Sequence, residues 1–90
     1  MSNFSSEKLA AHADAAVALL ATIKALLAQR TQKNVSAARM ILTDLDAHAN
    51  RAGAQLFFLT DEGNTIPEDT LHANRAEVAN REAYYILNGY

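Results

Sequence analysis

The sequence predicts an all-α domain: an antiparallel helical hairpin with a shorter third helix, forming a small helical bundle that is expected to be dimeric. Three observations carry this prediction. From residue 6 to about residue 32 no glycine or proline interrupts a stretch rich in Ala, Leu, Lys and Gln, which are among the best helix formers. Apolar residues recur at helical spacing in both halves of the hairpin. The one plausible strand, residues 55–60, has no second β-rich run to pair with.

The first helix has Ser5 as its N-cap, Glu7 in the first turn where the helix dipole favours an anion, and Phe4 placed to staple onto Leu9. It is expected over about residues 6–32, with Leu9, Ala16, Leu20, Ile23 and Leu27 on one face. Opposite that stripe, Ala11, Ala18 and Ala25 lie seven residues apart. A helix that is apolar on one side and smooth on the other can be covered twice. The alanine face is therefore expected to lie against a second copy or a target protein, where small side chains let backbones approach at little entropic cost.

Residues 31–36 read as a polar break, with Asn34 or Ser36 able to cap the next helix. The second helix is expected over about residues 35–60, presenting Ala38, Ile41, Leu42, Leu45, Ala49 and Ala52, with the same phase reaching Leu56 and Leu59. A competing reading ends it at Gly53 and makes Gln55 to Thr60 a strand, since Leu56-Phe57-Phe58-Leu59 is a plausible buried β run. The lack of a partner strand favours the continuous helix.

A turn at Asp61, Glu62, Gly63 and Asn64 leads to a capping box of Thr65 and Glu68 around Pro67. The third helix is expected over about residues 66–87, with Leu71, Val78 and Tyr85 on one heptad line. The intrachain seam is then Leu9, Leu20, Ile23, Leu27, Ile41, Leu42, Leu45, Leu56 and Leu59.

Ninety residues make one domain with a thin core, since alanine supplies about a fifth of the chain and brings little transfer free energy. The net charge of −2 argues against general nucleic-acid binding. Asp61, Glu62, Glu68 and Asp69 read as a solvated acidic connector. The absence of cysteine excludes disulfides and thiolate chemistry. The longest apolar run, residues 15–23, is bounded by Asp14 and Lys24 and falls short of the roughly 20 residues a bilayer requires. No membrane span or secretory signal is expected, and the chain reads as cytoplasmic.

The only imidazoles are His12, His48 and His72. A hairpin turning near Asn34 puts Leu20 opposite His48 and leaves His12 roughly 12 Å away along the axis. No metal site is then expected within one chain, although a dimer could bring copies together. Ser36, Thr43 and Thr60 have neither a base nor an oxyanion turn beside them, and no phosphate-binding, dinucleotide or calcium-loop spacing occurs. Neither an enzyme nor a cofactor is expected.

All three tyrosines fall in the last seven residues, as Tyr84, Tyr85 and Tyr90. Tyr85 and Ile86 are expected to dock the third helix, while Tyr84 and Leu87 point away from the heptad line and, with Tyr90, offer a partner surface. The leading expectation is a non-enzymatic interaction module, a regulator or inhibitor acting by helix-face binding through Ala11, Ala18, Ala25, Tyr84, Leu87 and Tyr90. The alternatives are a DNA-associated regulator or antitoxin using Lys24, Arg30, Lys33 and Arg39, without a recognition-helix pattern, and a metal-binding helical bundle formed across a dimer.

Overall fold

A computed structural model describes residues 3–89. It contains three helices, α1 (Ser6–Leu27), α2 (Gln32–Asp61) and α3 (Pro67–Leu87), and no strand among the described residues. α2 runs antiparallel to α1, and α3 returns parallel to α1, so that Ser6 meets Asp69 and Lys24 meets Glu82. The bundle is long and narrow, 47 × 21 × 15 Å.

α1 begins where its cap dictates. Ser5 is extended and its Oγ accepts from the Lys8 N–H at 3.1 Å. Phe4 reaches further than its own helix, stacking on Phe58 of α2 with ring centroids 4.4 Å apart.

The end of α1 departs from expectation. The helix stops at Leu27, and the connection is residues 28–31 rather than 31–36. Thr31, not Asn34 or Ser36, caps α2: its side chain accepts from the Asn34 N–H at 3.1 Å, while Asn34 Nδ2 donates to the Gln29 carbonyl at 2.8 Å. Gln29, Arg30 and Gln32 are good helix formers, so intrinsic propensity hides the stop. The turn is held locally by the bonds of Thr31 and Asn34, and Arg30 within it reaches across to α3, its Nη1 and Nη2 donating to the Ile86 and Leu87 carbonyls at 2.8 and 2.7 Å and satisfying the C-terminal end of that helix.

α2 continues through Gly53 as one helix of 30 residues. It ends in a Schellman turn, in which Gly63 adopts φ +72 and the Asn64 N–H donates to the Leu59 carbonyl at 2.8 Å.

α3 is capped differently from expectation. Ile66 is the N-cap and Pro67 takes the first helical position, but Thr65 and Glu68 form no box. Asp69 reaches back instead, and its Oδ2 accepts from the Ile66 N–H at 2.9 Å and from Ser6 Oγ at 3.0 Å. One of the four carboxylates assigned to a solvated connector is therefore fully buried.

The core follows the expected seam on α1 and α2, with Leu9, Leu20, Ile23, Leu27, Leu42, Leu45 and Leu59 buried and Ile41 and Leu56 half-buried. On α3 the expected phase is wrong. Leu71, Val78 and Tyr85 are 66%, 44% and 53% exposed, and the buried face is Asp69, Ala76, Ala79, Ala83 and Leu87. The larger apolar residues misled the reading because this interface is built from alanine, whose small size lets α3 sit close to both neighbours.

By length and composition α1 is apolar enough to cross a membrane, contrary to the count over residues 15–23 alone. A window that spans its isolated charges gains from the outward alanines, and only 28% of that window is buried in the fold.

Candidate functional site

The earlier turn shifts the register of the hairpin by about two helical turns. Ser5 N–H now donates to Gln55 Oε1 at 3.0 Å, and His12 faces His48 with their Nδ1 atoms 3.0 Å apart. The two histidines thus converge within one chain, which the sequence-based register had excluded. Their rings meet end to end, with centroids 5.2 Å apart and planes tilted by 40°. One Nδ1 must carry the hydrogen and the other must accept it. Burial lowers the pKa of His12 below its ordinary value, helped by the neighbouring His48 and by the positive charge of Arg51. His72 is elsewhere, its Nδ1 lying 2.7 Å from Arg75 Nη2. No group of three or more His, Asp or Glu side chains is placed to hold a metal ion among the described residues.

The residues expected to bind a partner are placed as follows. Ala11, Ala18 and Ala25 share the outer face of α1 and are all exposed. At 100° per residue, Ala21 and Val17 carry this apolar surface round toward α3. There a shallow groove of about 300 Å³ joins Val17 to Val78. The exposed line Leu71, Val78 and Tyr85 extends the surface, crossed by the ion pairs Asp14–Arg75 and Lys24–Glu82, each 2.9 Å long. Tyr84 is 45% exposed but turns about 100° from Tyr85, so it does not join the alanine face. Leu87 is 8% exposed and belongs to the core. Tyr90 lies outside the described residues.

Two of the four cations considered for DNA are engaged by contacts within the chain: Lys24 with Glu82, and Arg30 with the end of α3. Between α2 and α3, a shallow groove of about 410 Å³ is lined by Ala49, Gly53 and Ala73 together with Asn50, Asn74 and Glu77. Asn80 borders it, donating through Nδ2 to Asp46 Oδ1 at 2.9 Å, while its own Oδ1 is buried with no partner among the described residues.

Sequence reasoning missed the histidine pair and the outward line of α3. The pair could have been found from Thr31, a proper N-cap residue, had it been preferred over Asn34 and Ser36. No family model, no characterised protein and no solved structure matches this chain.

Proposed function

We propose that this protein is a non-enzymatic interaction module that pairs with a second copy of itself and acts as a regulator or inhibitor by presenting helix faces to a partner protein. The observation that carries the reading is the double-sided apolarity of α1: Leu9, Ile23 and Leu27 are buried on one side while Ala11, Ala18 and Ala25 stand exposed on the other. Leu71, Val78 and Tyr85 widen that surface across α3. A strip one α1 long and two helices wide covers roughly 650 Å² per copy, close to the ~800 Å² per partner of a standard interface. Alanine suits such a contact because it loses no side-chain entropy on burial.

Light scattering combined with circular dichroism tests the reading. The wild type should scatter at twice the chain mass at high micromolar concentration. Ala18→Glu, which places a charge at the middle of the face, should scatter as a monomer with unchanged helicity. A wild type that remains monomeric would falsify the self-pairing.

A further inference from the structure

Among the described residues, the contact between His12 and His48 is the one place where two metal-ligating side chains from different helices present the same kind of atom to each other. Both residues are half-buried on the seam between α1 and α2, where solvent reaches them. Their Nδ1 atoms are 3.0 Å apart, and neither ring hydrogen-bonds to any other group among the described residues. Two nitrogens that bind one ion in neighbouring positions, each at roughly 2.0–2.1 Å, lie about 3 Å from each other. The spacing imposed by the helices is therefore that of a chelating pair.

We propose that His12 and His48 form a two-nitrogen clamp for a late divalent transition metal, Cu²⁺, Ni²⁺ or Zn²⁺, held within one chain between α1 and α2. Imidazole selects these ions over Mg²⁺ and Ca²⁺, which take oxygen ligands, and the ordinary order of affinity puts Cu²⁺ first. Turning each ring outward by about 45° directs both Nδ1 lone pairs away from each other and onto the ion. The hydrogen that the rings share moves to an outward Nε2, so both bind as neutral Nε2–H imidazoles. With two protein nitrogens, the ion keeps its remaining positions for water or for a donor brought by another molecule. Arg51 stands close enough to disfavour positive charge at His12 and thus weakens the clamp. The clamp does not depend on self-pairing, because both ligands come from one chain.

Thermal melts of chelator-treated protein, with each metal salt added alone, provide the test. At a hundredfold excess over Kd, Cu²⁺, Ni²⁺ or Zn²⁺ should raise the Tm by roughly 10–20 °C, whereas Mg²⁺ should not. His12→Gln and His48→Gln should each remove the rise, His72→Gln should keep it, and Arg51→Gln should enlarge it. A second measurement uses only the wild type: on Zn²⁺ addition, the imidazole ¹⁵N resonances of His12 and His48 should move together, with the shifts on Nδ1, while those of His72 stay in place. Metal-induced shifts confined to His72, or a Tm rise that survives in His12→Gln, would overturn the proposal. So would a wild type whose Tm and resonances ignore all three transition metals.

Discussion

The seam between α1 and α2 and the seat of α3 are made of different materials. Three of the four largest fully buried side chains, Leu9, Ile23 and Leu45, lie on α1 and α2. The fourth is Asp69, a carboxylate of α3. Apart from Leu87 at its end, α3 buries only alanines beside Asp69, and it is pinned at intervals by polar contacts: Ser6 with Asp69, Asp14 with Arg75, Asp46 with Asn80, Lys24 with Glu82, and Arg30 with the last carbonyls. Bulk aliphatic burial stabilises without specifying direction, whereas alanine contacts stabilise weakly and leave a helix free to slide. The polar pins fix the position of α3 along α1, and the leucines hold the hairpin together.

The comparison can be broken first at the seam. Leu45→Ala, at a position with no exposure, should cost about 2–5 kcal/mol in chemical denaturation, through lost transfer energy and the cavity left behind. A loss below about 0.5 kcal/mol would contradict the division just drawn.

The pins of α3 rank next. Asp69→Ala leaves the Ile66 N–H and the Ser6 hydroxyl without their acceptor, and should cost about 2–3 kcal/mol. Most of that loss should persist in a Ser6→Ala background, since the backbone cap is the larger part.

The seam also carries the polar contact of His12 with His48, which sharpens the contrast by responding to acid. The folded-state pKa of His12 lies below the 6.5 of the unfolded chain, so the unfolded chain takes up its proton first. This contribution is fully present above about pH 6.5 and is lost as pH falls through the lowered folded value. In metal-free buffer, the denaturation midpoint should drop between pH 7 and 5, and His12→Gln should flatten that drop. An unchanged slope in the variant would remove His12 as the cause.

The exposed pins should matter least. Lys24 and Glu82 are each about half exposed, so Glu82→Gln should change stability by less than about 1 kcal/mol, and by less still in high salt. A larger effect in the same denaturation assay would mean that α3 leans on its surface charges as well as on Asp69 and Arg30.

The parts of the fold legible in the sequence were those where local signals and packing agree. Ser5 announced the start of α1, the apolar phase of α2 ran unbroken across Gly53, and Pro67 marked the start of α3. The turn at residues 28–31 was hidden because nothing in Gln29 or Arg30 opposes helix, and the cap that marks it, Thr31, competes with Asn34 and Ser36 close by. The face of α3 was hidden because a reader weights Leu71 and Val78 above Ala76 and Ala83, and this interface selects for smallness. For the candidate site, the exposed alanines of α1 were readable from spacing alone. The histidine pair was not, because one misplaced cap moved His12 by two turns.

Arg30 also bears on the order in which the fold assembles. The hairpin closes through a turn of four residues, but the Arg30 clasp closes a loop of 56, and closure entropy rises with loop length. The guanidinium has to wait for the far end of α3 to arrive before its two best acceptors exist. Until then the guanidinium, exposed at the turn, donates to water. The clasp thus acts as a latch thrown last, and its loss would free the far end of α3 before loosening the hairpin beneath it.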